Sequence, residues 1–306
     1  MKVLVTGGAG FIGSNLVREL VRDGHAVSVL DDLSTGLESN LDGLPVEFVR
    51  GSITDLDVVQ ECARGASAIV HLAARGSVPR SLQNPLATHN VNVTGTVNVL
   101  EAARANTSHV VFSSSSSVYG VNMTSPKSEA IPISPVSPYA ASKASGEVYA
   151  AAYARSFQVP VLVFRFFNVF GPGQRPDHDY AAVVPKWVSQ ALQDDTLVVN
   201  GDGSIIRDFT YVDDVIQVLT DAVNRQVTAP SPVNLAFGRA LSLNDLLTAL
   251  EARLGNLKVR YGDVRPGDIP ISENDPSLLF SLFPNAQITN FGQALDTTIQ
   301  WLRSRP

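Results

Sequence analysis

The chain opens on a short apolar run rich in β-branched residues, Lys2–Thr6. A glycine-rich turn follows, then a stretch over 14–22 whose apolar residues recur at helical spacing. A second apolar run at 26–30 begins after Gly24 and ends at Asp31 and Asp32. Runs of this length and composition read as parallel strands buried on both faces. Further strand-like runs lie at 46–49, 68–72, 109–113 and 160–166, with helical patterns between them at 57–64, 86–106 and 138–157. This alternation predicts an α/β architecture, a doubly wound parallel sheet with helices on both faces. Right-handed crossovers would place the carboxyl ends of its strands along one ligand-binding edge.

Beyond Phe166 the pattern is less regular. Gly171, Pro172, Gly173 and Pro176 mark a loop; helices are expected at 181–194, 212–225, 242–254 and 292–303, with Ser242 as an N-cap. Short strands are expected at 197–199 and 233–236. The first domain is therefore drawn at 1–166, also taking in about 211–238, and a smaller interleaved α/β substrate domain at 167–306.

The opening turn carries the first chemistry. Gly8-x-Gly10-x-x-Gly13 follows a strand, opens a helix and precedes a second strand that ends in an acid. In that context glycine lets backbone approach a diphosphate, and the helix N–H groups bind it, as in a Rossmann dinucleotide site. Asp31 stands where a carboxylate accepts hydrogen bonds from ribose hydroxyls and repels a 2′-phosphate, so NAD is expected rather than NADP.

Composition narrows the class. The chain has 306 residues, 44% hydrophobic and 17% charged, enough for one large domain or two sharing a cleft. A net charge of −6 argues against a nucleic-acid partner. Cys62, the single cysteine, reads as a buried structural thiol, and no Cys/His pattern suggests a metal. The first apolar run is too short and glycine-broken for a signal peptide or membrane span, so the cytoplasm is the expected compartment.

Tyr139 and Lys143, four apart on a predicted helix, share one face. An ammonium beside a phenol favours the phenolate and would bring the tyrosine toward use as a base. Ser115, just beyond a predicted strand, offers a hydroxyl for a substrate oxygen.

TGGAGFIG at 6–13, Ser115, Tyr139 and Lys143 together resemble the extended short-chain dehydrogenase/reductase family. Further segments support this: HLAARGSVPRS at 71–81, NVTGT at 92–96, SSVYG at 116–120, RFFNVFGP at 165–172, GDGSIIRDFTYVDD at 201–214 and RPGDIP at 265–270. In order and spread they are similar to NAD-dependent UDP-sugar 4-epimerases; 167–187 is most similar to those accepting N-acetylhexosamines. The resemblance implies Tyr139 as acid/base, Lys143 as its partner and Ser115 sharing the proton at the sugar 4-hydroxyl. It implies NAD contacts from Gly7, Gly10, Phe11, Ile12, Asp31, Ser34, Thr35, Gly36, Ser52, Ile53, Leu72, Ala73, Ala74, Asn92, Tyr139 and Lys143. For a UDP-sugar it implies Ser77, Ser115, Ser116, Ser117, Tyr139, Asn168, Arg175, Val183, Val199, Arg207, Arg265, Asp268 and Ser272. Arg207 and Arg265 would hold the diphosphate and Asp268 the uridine ribose.

Ser117 stands where related dehydratases and decarboxylases carry a glutamate, which favours epimerisation. Arg175 resembles a loop arginine that meets the carboxylate in uronate epimerases, although a solvated loop charge accounts for it as well. Ser272 falls where a bulky aromatic closes the pocket of strict glucose/galactose epimerases. Relatives of this type are dimers through helices corresponding to about 86–106 and 138–157, so a homodimer is expected. A non-catalytic NAD-sensing protein on the same fold is the competing class; it would be expected to lose Tyr139 or Lys143.

Overall fold

The computed structural model describes residues 1–306 apart from 178–180, 265–268 and 305–306. The strands are β1 (Lys2–Thr6), β2 (Ala26–Asp31), β3 (Glu47–Arg50), β4 (Ala68–His71), β5 (His109–Ser115), β6 (Val161–Phe166), β7 (Val169–Phe170), β8 (Leu197–Asn200), β9 (Ile206–Asp208), β10 (Thr210–Tyr211), β11 (Val233–Leu235), β12 (Ala240–Ser242), β13 (Val259–Gly262) and β14 (Ile271–Ser272). The α-helices are α1 (Phe11–Arg22), α2 (Leu56–Ala63), α3 (Val78–Gln83), α4 (Pro85–His89), α5 (Gly95–Asn106), α6 (Pro138–Phe157), α7 (Val183–Leu192), α8 (Val212–Arg225), α9 (Leu243–Leu254), α10 (Ser277–Leu282) and α11 (Phe291–Arg303).

A seven-stranded sheet runs in the order β11-β6-β5-β4-β1-β2-β3, and its pairings from β3 through β6 are parallel. Strand order reverses between β1 and β4, so the glycine turn leaving β1 lies at the topological switch point where such sheets bind ligands. Val3, Leu4 and Val5 of β1 and Ile69 and Val70 of β4 are fully buried, which explains their uninterrupted apolar runs.

The chain divides into two compact units. The first is Met1–Gly120, Pro132–Phe166 and Ile216–Val233; the second is Val121–Ile131, Phe167–Val215 and Asn234–Pro306. The segment 121–131, drawn from sequence in the first domain, thus belongs to the second. Its backbone explains why: Lys127 N–H donates to the Glu273 carbonyl at 2.8 Å and Asp275 N–H to the Lys127 carbonyl at 2.9 Å.

The helix expected over 86–106 is interrupted. Residues Asn90–Thr94 form a π-turn between α4 and α5, and Asn84 caps α4 by accepting from the Ala87 amide at 3.0 Å. Wide turns of this kind mark functional sites more often than chance, and this one carries Asn92. At α9 the expected Ser242 cap is present as a reciprocal capping box with Asp245.

Candidate functional site

The glycine loop is built by close approach. A Cβ on Gly13 would lie 2.1 Å from the Gly7 carbonyl oxygen, and one on Gly7, which has φ +74°, would lie 2.7 Å from the Ala73 nitrogen. One on Gly36 would meet the Ala9 carbonyl carbon at 2.9 Å. The loops carrying Leu72 and Ala73, and Gly36, are therefore drawn against Gly7–Ala9, as expected for a shared cradle. Gly10 caps α1 without a side chain, so no capping oxygen covers the Phe11 and Ile12 amides, which have no intrahelical acceptor. A diphosphate fits such an end, both by donor supply and by the positive pole of the helix.

Asp31 ends β2 and is 8% exposed. One carboxylate oxygen accepts the Ala9 amide at 3.0 Å and the other the Leu33 amide at 2.8 Å. Burial pushes its pKa up, against these two bonds. Each oxygen keeps a second acceptor site, so Asp31 both anchors the glycine loop and can receive ribose hydroxyls. Ser34 and Thr35 are exposed on the loop beyond it. Ser52 bonds its neighbour Thr54 at 2.9 Å, and Ile53 is buried where a Cβ on Gly95 would strike its side chain at 2.5 Å. That contact explains the glycine of the 92–96 segment.

Asn92 is 2% exposed and clamps two segments. Its oxygen accepts the Arg75 amide at 2.7 Å; its nitrogen donates to the Arg75 carbonyl at 3.2 Å and to the Ser142 hydroxyl at 2.9 Å. It thereby joins the loop after β4 to the turn of α6 that carries Lys143. Ala74 precedes this clamp. Ser77, with φ +87°, opens α3 by accepting the Arg80 amide; a non-glycine residue held there is strained and marks a constrained loop.

Helix α6 starts on Ser137, whose hydroxyl accepts the Ala140 amide at 3.1 Å, with Pro138 in the first turn. It lies close on β5 because Gly146 has no side chain: a Cβ there would meet the Phe112 ring at 2.5 Å. This approach sets Lys143, 3% exposed, over the Phe112 ring at 5.3 Å with its ammonium donating to the Ser113 carbonyl at 2.7 Å. Burial lowers its pKa to about 8, with Glu147 pulling the other way.

Tyr139 is half-buried as a residue, with its hydroxyl lodged among protein atoms and hydrogen-bonded to Ser115. Desolvation raises its pKa and the Ser115 bond lowers it. The expectation that Lys143 brings the phenol down is corrected here. The ammonium is engaged by Ser113, and burial outweighs the influences that favour phenolate.

Ser115 ends β5, where the strand gives way to a 3-10 turn over Ser116–Tyr119. Its oxygen accepts the Ser117 amide at 3.2 Å and the Ser117 hydroxyl at 2.9 Å. Ser117 thus polarises Ser115 toward the phenol, a role that its place in the sequence did not disclose.

In the second unit Asn168, with φ +26°, donates to the Asp208 carbonyl at 3.2 Å. Arg207 on β9 pairs with Ser272 of β14 and donates to the carbonyls of Ile206 and Ile269 at 2.8 and 2.7 Å. Val183 opens α7 and is half-buried. Two further candidates are placed as follows. Val199 is 0% exposed, facing the core with Leu197, so alternation along β8 gives Val198 and Asn200 the other face. Arg175 donates to Asp177 through Nε at 2.9 Å and an NH2 at 2.7 Å, a partly exposed pair of the kind a solvated loop charge makes. Arg265 and Asp268 lie outside the described residues.

The parallel sheet with its switch-point glycine turn, and the Ser115–Tyr139 pair at the end of β5, define an α/β protein of the Rossmann-like type. The NAD dependent epimerase/dehydratase family matches residues 3–236, and the chain belongs to it, as an NAD-dependent enzyme of the extended short-chain dehydrogenase/reductase type. It is 41% identical over 262 residues, 83% of each chain, to the UDP-glucose 4-epimerase of Mycolicibacterium smegmatis. Among solved structures it is similar to the UDP-N-acetylglucosamine 4-epimerase from Methanobrevibacter ruminantium in complex with UDP-N-acetylmuramic acid, with TM-score 0.94, 34% identity and 99% and 98% of the two chains covered. It is also similar to TunA, an NAD-dependent NDP-hexosamine 5,6-dehydratase of tunicamycin biosynthesis, with TM-score 0.91, 36% identity and 100% and 98% coverage.

Proposed function

We propose that the protein interconverts C4 epimers of a UDP-hexose, UDP-glucose/UDP-galactose and UDP-N-acetylglucosamine/UDP-N-acetylgalactosamine, through a transient 4-keto sugar. The observation that carries this reading is the hydrogen-bonded chain Ser117–Ser115–Tyr139 beside the Lys143 ammonium. Such a chain can remove a proton from a sugar 4-hydroxyl and return it to either epimer.

NAD, when bound, would take up hydride from sugar C4 and return it. The Gly7–Gly13 loop and the first amides of α1 would hold its diphosphate, and Asp31 its adenosine ribose. Tyr139 would take the 4-hydroxyl proton with Ser115 sharing it, while Lys143 would offer its remaining donors to the nicotinamide ribose. Turnover of the keto sugar requires a firm hold on the nucleotide and a looser one on the hexose. Asn168, Arg207, Arg265 and Asp268 are proposed for the firm hold, using remote binding energy to position the reacting carbon.

Loss of water from the same keto sugar is the second reading, favoured by the likeness to the 5,6-dehydratase. Against it, Ser117 supplies a hydroxyl where the family resemblance would place a glutamate in a dehydratase. A uronate substrate is disfavoured by the Arg175–Asp177 pair. A homodimer is part of the proposal: Leu82, Leu86, Val148 and Tyr149 leave α3, α4 and α6 with exposed apolar side chains.

Proton NMR with catalytic NAD and, separately, UDP-glucose, UDP-N-acetylglucosamine and UDP-glucuronate tests the reading. A C4 epimer absent from a Tyr139→Phe control is the expected result. A stable keto or dehydrated product would transfer the protein to the dehydratases. Tight NAD binding with all three sugars unchanged would favour the sensor.

A further inference from the structure

The first unit also buries an ion pair, Arg165–Glu147. Glu147, one turn beyond Lys143 on α6, is 6% exposed, and Arg165 on β6 is 4% exposed. Arg165 Nε and an NH2 grip the two carboxylate oxygens at 2.9 and 2.8 Å. The other NH2 reaches the Tyr119 hydroxyl at 2.9 Å, and the guanidinium lies over the Tyr119 ring at 4.8 Å. The Ser114 hydroxyl donates to the same Glu147 oxygen as Arg165 Nε.

A buried pair of this kind is a poor device for stability alone, because apolar side chains of similar volume fold as well or better. Its position suggests a different use. Ser114 immediately precedes Ser115, and Tyr119 ends the 3-10 turn that holds Ser117. Glu147 shares a helix face with Lys143. Ser114, Tyr119 and Glu147 thus each stand within one helical turn of chain from a residue proposed for the reaction.

The groups facing Lys143 are few in kind. On its own helix stand Tyr139 and Glu147; β5 presents the Ser113 carbonyl and the Phe112 ring; β4 presents His71, which burial keeps neutral. Arg165 acts from β6 through Glu147. Among the described residues Glu147 is thus the carboxylate whose charge favours the ammonium against its burial.

We propose that Glu147 is a positioning residue for the reaction: braced by Arg165, Tyr119 and Ser114, its carboxylate sets a countercharge one helical turn from Lys143 and, through Ser114, fixes the end of β5 against the helix that carries Tyr139. The inference rests on the functional reading above for its catalytic consequence, but not for its electrostatic one.

The test labels lysine side chains with carbon-13 at Cε and follows the Lys143 resonance with pH. The lysines are Lys2, Lys127, Lys143, Lys186 and Lys258, and loss of one signal in Lys143→Met gives the assignment. In Glu147→Gln, Lys143 should titrate about one pH unit lower than in the wild type. The alkaline limb of kcat should fall at correspondingly lower pH, with KM changed less than about twofold. Because Glu147→Gln strands a buried guanidinium, Glu147→Gln/Arg165→Met is measured beside it. Losing the arginine cation offsets part of the effect, and a downward shift of about half a unit is expected there. An unchanged Lys143 titration in the folded double variant would overturn the proposal, as would a kcat loss equal at every pH. The titration needs no substrate. If none of the UDP-sugars reacts while Lys143 still shifts, the functional reading fails and the electrostatic role of Glu147 stands.

Discussion

The Lys143 ammonium lies 2.7 Å from the carbonyl oxygen of Ser113, two residues before Ser115 on the same strand. The lysine that completes the Tyr-x-x-x-Lys pair is thus also the peg that fastens α6 to the end of β5. A charge-assisted bond to a carbonyl and the Phe112 face at 5.3 Å fix its direction. Replacement by methionine keeps the volume and removes the charge. Lys143→Met should lower kcat by about 10²–10⁴-fold, measured as initial rate at saturating UDP-sugar. A loss under tenfold would show that the ammonium only docks the helix.

Ser115 receives two hydrogen bonds from Ser117 and makes one to Tyr139. Ser115→Ala should therefore lower kcat by about 10–10²-fold and move the Tyr139-dependent acid limb of the pH profile upward, since the bond that favours phenolate is gone. Ser117→Ala should do the same more weakly. An acid limb unmoved in Ser115→Ala would remove the serine from the proton path.

Gly13 lies inside a helix, where alanine is ordinarily the better residue by about 1 kcal/mol. Here the sign reverses, because the added Cβ would lie 2.1 Å from the Gly7 carbonyl oxygen and 2.7 Å from Gly8 Cα. Both obstacles are backbone and cannot turn aside. Gly13→Ala should weaken NAD binding by at least about tenfold by calorimetry and cost about 1–3 kcal/mol of stability. Near-normal NAD affinity would mean the loop does not cradle the diphosphate.

Arg175 donates twice to Asp177, with both side chains partly exposed. An exposed pair of this kind contributes about 0–1 kcal/mol. Arg175→Ala should leave the rate with UDP-glucose and UDP-N-acetylglucosamine within about twofold. A loss confined to UDP-glucuronate, measured side by side, would instead make the arginine a carboxylate contact.

Much of this molecule is legible from its residues. The Lys2–Thr6 strand and the Pro138–Phe157 and Val212–Arg225 helices lie where the apolar pattern puts them, because the spacing of apolar and polar residues is a local property of the sequence. The break at Asn90–Thr94 was not legible. The apolar pattern runs straight through it, and only the docking of Asn92 onto Arg75 and Ser142 accounts for what the wider turn serves. The short strands β7, β9, β10, β12 and β14 were missed for a related reason: two or three residues carry no period, and distant pairing decides them. Tyr139, Lys143 and Ser115 were visible through spacing and resemblance. Glu147 and Arg165 were not, since nothing in the local pattern distinguishes a buried carboxylate or guanidinium from a solvated one. Their burial follows from each other, across 18 residues of chain.

Two buried groups should give stability opposite slopes with pH. His71 bonds Thr6 and Thr96 at 2.8 and 3.0 Å, and burial lowers its pKa from 6.5 to about 3. Between those values the unfolded chain takes up a proton that the folded chain refuses. The stability His71 contributes is thus present above pH 6.5 and lost as pH falls toward 3, by about 1.4 kcal/mol per pH unit at most. Asp208 is the reverse case. It is 0% exposed; the amides of Phe237, Gly238, Arg239 and Asn274 lie near it without reaching bonding geometry, and burial raises its pKa from 3.8 to about 6. Its contribution is present below pH 3.8 and lost as pH rises through 6. Replacement by the neutral isostere removes that dependence. Asp208→Asn should therefore gain on the wild type as pH rises from 4 to 7, by about 1–3 kcal/mol in denaturant unfolding. A difference between the two that stays constant over this range would mean that the Asp208 carboxyl ionises normally, with the four nearby amides compensating fully for its burial.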